Sequence, residues 1–484
     1  MEKNRENRIH NKFITFVVVA LCILMLFILN ASFNRLNSYG SMFGVNDVVL
    51  VVISLVLLLG IYMLKKRNVS SKKIITITIA VGFILRFIYS FTINSIPISD
   101  FAIMYETAGE VLNGDFSNLW GTGYIARFPH ITIPVMYFAL IRYIFPEPLL
   151  AIKFFNIIAS TVNIGIVYLI IKELFNDTWK AQIGAVITAL FPPLILYTAI
   201  FTTENLAIPL YLLSVYLFIK ATKSKNKIRL FFMSAISLSF ANLFRMVGQI
   251  ILVAFLLYII VSYKETLKKK VAVIFMIIIG FLVPLFTASF TLHYSGIIEY
   301  QLWKGREPAL TNVVKGLNIE SGGRWNKEDA VIPEENNFQY DKIEEACKEI
   351  IWNRFTETPK PVLFQFFVDK ITSQWSIGDF SGAYWAEHSI SDDDIGIKFS
   401  ENGVWYGQLF FVVLLSLSYI GLLNLNKLKS NPQISLIYYI FCGYGLFYLV
   451  SENQARYAFV VSWVFIIMSV VGLDLLKNIR FKRR

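Results

Sequence analysis

Charge is scarce in this chain. Only 16% of its 484 residues are Asp, Glu, Lys or Arg, against 56% hydrophobic and 15% aromatic, and the mean hydropathy is +0.58. That balance excludes an ordinary soluble domain and points to a polytopic helical membrane protein. Cysteine is nearly absent too. Cys22 and Cys442 lie in apolar runs and Cys347 in a polar segment, which argues against a disulfide framework or a Cys-based metal site. His130, His293 and His388 lack metal-ligand spacing, so no cofactor is expected. A divalent metal held by a histidine and a carboxylate is kept as an alternative. There is no internal repeat, low-complexity tract or long linker. No small-residue cleavage site follows the first apolar run, which therefore reads as an anchor rather than a signal peptide. The net charge of +12 is no nucleic-acid footprint, because Lys and Arg fall mostly in short clusters between apolar runs, as in cytoplasmic loops.

What the chain does have is long apolar runs, near 13–32, 46–64, 74–92, 149–172, 181–200, 205–221, 230–244, 246–263, 271–290, 406–424, 432–450 and 458–476. Clusters at Lys3/Arg5/Arg8/Lys12 and at Lys65/Lys66/Arg67/Lys72/Lys73 flank the first three, so the chain should emerge outside after residue 92. The piece 131–145 is apolar but short of the ~20 residues a span needs, and it carries Pro134 and Arg142. If it crossed, the basic clusters at 220–229, at 264–270 and at the tail (Lys477, Arg480, Lys482, Arg483, Arg484) would all land outside. Laid in the interface, it leaves every one of them inside. The expected fold is thus all-α, with about twelve transmembrane helices, both termini cytoplasmic, juxtamembrane helices and one external domain. Its parts are N-terminal helices in 1–92, a first large external loop in 93–148, a transmembrane core in 149–290, an external domain in 291–405 and C-terminal helices with a basic tail in 406–484.

Ionisable residues cluster at the span ends facing outward. Ser99-Asp100 opens a short amphipathic helix with Phe101, Met104, Tyr105, Ala108 and Val111/Leu112 at helical spacing, stopped by Asn113-Gly114. Thr202-Thr203-Glu204-Asn205 lies between two runs, Asn242 to Arg245 interrupts another, and Glu452 to Tyr457 precedes the last. Charges at a bilayer boundary are costly and tend to be functional. The guanidinium fork of Arg245 or Arg456, with Arg127 next in line, suits a phosphate. Plainer roles compete: Asp100 or Glu204 as helix caps, the arginines as headgroup anchors, and Tyr105, Trp120 and Tyr124 as an aromatic belt.

The order SD-x3-Y-x2-A-x2-L-x-G-D, an aromatic-Pro segment, FPPLILYTAIFTTENLAIPLYLLSVYLFIK and ENQARYAFVVSWVFIIMSVVGLDLL resembles the GT-C superfamily, on the branch of the protein O-mannosyltransferases and aminoarabinose transferases. The resemblance covers roughly 74–265 and 430–476. It implies an integral-membrane glycosyltransferase with a GT-C-like core that takes its sugar from a polyprenyl phosphate. It matches Asp100 to a catalytic carboxylate near the start of the first external loop, 131–145 to juxtamembrane helices, Glu204 to a second acid and Arg456-Tyr457 to an Arg-Tyr pair before the final spans. Three departures stand out. Phe101 follows Asp100 where a second acid is common, two extra spans precede the loop, and Arg127-Phe128-Pro129-His130 replaces a lysine-Pro-Pro step.

The chemistry follows from the residue types. Transfer from a lipid phosphate needs a base for the acceptor hydroxyl and positive charge for the leaving phosphate. Asp100 with one or two arginines suffices for inverting single displacement. A retaining route would use Glu204 or Glu452 as nucleophile. Tyr105, Tyr457 and His130 are candidates for holding sugar or acceptor, which could be a cell-envelope glycan, a lipid, a wall polymer or a protein. The partners are then the lipid donor, that acceptor and the bilayer, with no nucleic acid. The rival reading is a polysaccharide polymerase or ligase working through 291–405. A transporter would place its charges nearer the bilayer midplane.

Overall fold

The computed structural model describes the backbone of residues 2–482 and the side chains of residues 9–477. The side chains of Lys3, Arg5, Arg8, Arg480 and Lys482, and all of Arg483 and Arg484, lie outside the described residues. Among those described, the regular structure is helical, and a single bridge, Ile93 to Ile395, stands outside helices. A helix satisfies its backbone within one segment, which is what a bilayer demands.

Nine helices are long and apolar enough to cross a membrane, and up to twelve if each of three bent pairs counts as one span. The twelve runs read from the sequence are all present, with two qualifications. The run 181–200 is broken at Phe191-Pro192 with a 57° bend, and the last run bends by 61° beside Ser462. The run 246–263 yields only the 14-residue helix Gly248–Val261, roughly 21 Å at 1.5 Å per residue, short of a full hydrocarbon core. The proline break is stitched by Arg86, fully buried, which donates to the carbonyls of Thr188 and Ala189 left open there. The final helix is the bundle's axis: Trp463 to Met468 are wholly buried. Its Gly472 crosses Gly421 so closely that a Cβ on either would strike the other helix's backbone.

The piece 131–145 is not a straight span. The helix Thr132–Ile144 meets the preceding turns at 109° and packs on Asp100–Leu112, where Arg142 donates to the Tyr105 carbonyl at 2.6 Å. Lys153, near the start of the Pro148–Phe175 helix, donates to the carbonyl of Ile93 at 2.5 Å. The chain therefore leaves and re-enters the bundle at the same end. The basic loops gather at one end: Lys223 pairs with Glu173, Lys227 with Glu265, Lys180 with Asp474, and Lys65 covers Trp179.

The stretch 291–405 begins inside a helix, Leu267–Tyr294, and divides in two. Its first half holds a small core of Val314, Ile332, Ile343 and Cys347. Its second half is rooted in the bundle, with Trp375 packed on Phe441, Tyr448 and Phe465 and Phe380 on Phe411. Near its end Gly396 donates to the Thr92 carbonyl at 2.6 Å, beside the start of the first loop.

Candidate functional site

Asp100 is the first residue of the helix Asp100–Leu112, entered through Ser99 at φ 54°. Among the described residues, its carboxylate caps no backbone amide of that helix. Oδ1 accepts from the Tyr124 hydroxyl at 2.9 Å and Oδ2 from Arg456 Nη2 at 2.7 Å. Burial works to raise its pKa. The charge and hydrogen bond of Arg456, the Tyr124 hydroxyl and the charge of Arg245 outweigh burial and hold it below its ordinary value. The helix N-terminus favours the same ionised form.

Arg456 reaches Asp100 from the short helix Ala455–Ala458, at the far end of the sequence. Its side chain is 7% exposed and its guanidinium lies 4.3 Å from the Trp385 ring centroid, 5.1 Å from Phe101 and 5.2 Å from Tyr457. Such stacking fixes the fork without consuming its donors. Nε and Nη1 are buried and make no hydrogen bond among the described residues. A buried charged donor left unsatisfied is costly, so this fork is poised for an acceptor oxygen.

A second acid–arginine pair stands on the other side of Tyr457. Glu204 opens the helix Glu204–Ala221, is buried, and accepts from the Thr202 hydroxyl. Its Oε1 lies 3.2 Å from Arg245 Nε, and the Arg245 guanidinium lies 5.2 Å from the Tyr457 ring. Arg245 sits in the extended break between Lys227–Phe244 and Gly248–Val261. Asn242 accepts there from Gly248 N at 2.9 Å, and Tyr211 donates to the Arg245 carbonyl. The Tyr457 hydroxyl turns to Glu452 Oε1 at 3.3 Å. His130 feels the same charges: burial, then Arg245, push its pKa down to about 4, while Asp100 pulls it back. It is neutral at pH 7.

Four separate stretches thus meet at one end of the bundle. Asp100, Glu204, Arg245, Arg456, Tyr457 and His130 belong to one electrostatic cluster. Two residues named from the sequence are engaged elsewhere. Arg127 forks onto Glu307, at 2.9 Å through Nε and 2.8 Å through Nη2, and lies over Phe128 and Phe338. Tyr105 faces Phe138 and Arg142. Tyr124 donates to Asp100 and Trp385 packs on the Arg456 guanidinium. Among the described residues, no three His, Cys, Asp or Glu side chains are placed to hold a metal ion.

Residues 133–287, from the Thr132–Ile144 helix to the Leu267–Tyr294 helix, match the family model described as dolichyl-phosphate-mannose-protein mannosyltransferase. That match covers about a third of the chain. No match is found among curated protein sequences. Similar solved structures include the oligosaccharyltransferase AglB of Archaeoglobus fulgidus, with an inhibitory peptide and dolichol-phosphate, at 14% identity and a TM-score of 0.47, covering 86% of this chain and 51% of that one. The apo form gives 14% identity and 0.48, covering 84% and 50%. ArnT of Cupriavidus metallidurans bound to undecaprenyl phosphate gives 11% and 0.36, covering 84% and 79%. The chain spans about half the length of the archaeal enzymes it matches. None of these likenesses reaches a TM-score of 0.5, and the function proposed below does not rest on them.

Proposed function

We propose that this protein transfers a sugar from a polyprenyl-phosphate donor to a hydroxyl acceptor of the cell envelope, a glycan, lipid or wall polymer, on the outer face of the cell membrane. The observation that carries the reading is the Asp100–Arg456 pair: an ionised carboxylate on a guanidinium that keeps two buried donors unspent. The matched family, whose description names a sugar on a polyprenyl phosphate, supports the choice of donor. The positive-inside bias supports the outer face, because the basic loops gather at one end of the bundle while the first loop leaves and re-enters at an end without them.

In this mechanism Arg456 and Arg245 take the phosphate oxygens and stabilise the charge that grows as the anomeric C–O bond breaks. Asp100 accepts the proton of the acceptor hydroxyl as that oxygen attacks the anomeric carbon from the opposite face, giving inversion. Tyr457, whose ring lies 5.2 Å from each guanidinium, is placed to contact the sugar beside them. Neutral His130 adds no competing charge, and Glu204 balances Arg245.

Asp100→Asn tests this. Asn keeps the size and can still accept from Tyr124, but it cannot take the proton. In cells that depend on this protein for an envelope sugar, transfer should fall about 10²–10⁴-fold while the protein still folds and retains lipid donor. Transfer within a few-fold of wild type would end the assignment of Asp100 as base.

A further inference from the structure

The residues just before Arg456 form a short stretch, Ser451 to Gln454, without helical structure. In a water-poor setting its backbone groups must find partners in the protein. They find them in the 291–405 stretch. Glu452 N donates to Asn312 Oδ1 at 3.1 Å, and Asn453 N donates to the Gly323 carbonyl at 2.7 Å. The Asn453 amide donates to the Gly322 carbonyl at 3.2 Å and to Ser373 Oγ at 2.6 Å, and the Gln454 carbonyl accepts from Gln374 at 2.8 Å. The approach is too close for side chains. A Cβ on Gly316 would run into the Val450 carbonyl and Ser451, and Gly323, at φ +74°, would put one 2.8 Å from the Gly316 carbonyl.

The same segment also grips the first loop. Glu299 Oε2 accepts from Gly121 N at 2.7 Å, Arg306 N donates to the Ala126 carbonyl at 3.0 Å, and Glu307 holds Arg127. Tyr124, which donates to Asp100, lies between Gly121 and Ala126. One continuous stretch, 299–323, therefore bonds at one end to the loop that aims Tyr124 at Asp100 and at the other to the loop that delivers Arg456.

We propose that residues 299–323 act as a strap that sets the register between the first and last loops, and that Asn453 is the positioning residue through which the strap presents Arg456 to Asp100. The proposal rests on the reading of Asp100 and Arg456 as the reactive pair. Stacking orients the Arg456 fork, but the backbones of two loops whose contact residues are 356 positions apart need a common anchor to keep a 2.7 Å ion pair in register, and a bridge bonded to both supplies it.

The test uses the full-length protein in lipid nanodiscs, with hydrogen exchange and donor kinetics read on the same samples. Asn453→Ala should speed amide exchange at 455–458 about tenfold and also loosen 124–127 across the strap. Exchange in the Pro432–Val450 helix should stay unchanged. The apparent KM for a polyprenyl-phosphate sugar should rise about tenfold with a smaller change in kcat. In an Arg456→Gln background the same substitution should add nothing to KM. If Asn453→Ala does not fold, Asn312→Ala, at an exposed side chain, replaces it with the same expectations in smaller degree. Loosening confined to 451–458 with the first loop unmoved overturns the strap, and so does an equal KM factor in both backgrounds. A Tm drop with KM unchanged overturns it as well. If Arg456→Gln itself leaves donor dependence at wild type, the functional reading fails, while the exchange at 124–127 still decides the strap.

Discussion

The two acid–arginine pairs look alike and are built differently. Glu204 and Arg245 come from neighbouring stretches of one transmembrane core, joined also by Thr203 donating to the Phe244 carbonyl at 2.7 Å. The Glu204 side chain is 7% exposed, and its second oxygen is taken by Thr202. Asp100 and Arg456 come from opposite ends of the chain. The Asp100 side chain is 39% exposed, and Arg456 keeps two donors unspent. In the first pair the carboxylate is enclosed and ties two spans together, while Arg245 is 25% exposed and its buried Nε makes no hydrogen bond among the described residues. The second is open on one side, which is the condition for taking a substrate. A paired carboxylate sealed from solvent is a strut; one open to solvent beside a buried guanidinium is placed to meet a substrate.

That comparison can be broken. Arg456→Gln keeps bulk and removes charge, and the loss of a charge-assisted hydrogen bond, about 1.5–3 kcal/mol, should raise the donor requirement roughly ten- to a hundredfold with little change in Tm. Its pH profile sharpens the point. With Arg456 present, the folded-state pKa of Asp100 lies below the ordinary 3.8. The group therefore adds stability above its unfolded value that is lost only as pH falls through the lower, folded one. Without Arg456, burial is left as the main influence, the pKa rises, and the acid limb of the rate profile should move to higher pH. A limb that stays in place would separate the pair.

Glu204→Gln should do the reverse. It removes the counter-charge beside Arg245, whose side chain is 25% exposed, so stability should fall by no more than about 3 kcal/mol, the low end for a broken buried pair, read as a lower thermal midpoint in detergent. Transfer per folded molecule should fall less than in Arg456→Gln. A large loss of rate at unchanged stability would make Glu204 a second catalytic acid and undo the distinction. Tyr124→Phe is the smallest change. It removes one hydrogen bond to Asp100, and with about 0.5–1.5 kcal/mol at stake the rate should drop no more than about tenfold.

Much of this was legible along the chain, because hydropathy and backbone satisfaction are local. Each apolar run has to form its own hydrogen bonds, so spans, their ends and the shortness of 131–145 can be read one window at a time. Positive charge between runs supplied the expected sidedness. Glu204, Arg245, Asp100 and Arg456 stood out for a similar local reason, as ionisable groups at run ends. Their partners did not. Arg127 carries the same charge as Arg456 and lies nearer to Asp100 in sequence, yet it turns to Glu307.

The sequence by itself determined an all-helical membrane protein of about twelve apolar runs with charged groups at one set of ends. The tertiary structure decided which acid meets which arginine, that Tyr124 and Trp385 touch the pair, and that 299–323 bonds to both the first and the last loop. The reason is physical. A helix is specified by neighbours within four residues, whereas the 2.7 Å contact between Asp100 and Arg456 spans 356 positions. Such a contact exists only once the packing of the bundle has brought both loops to the same end.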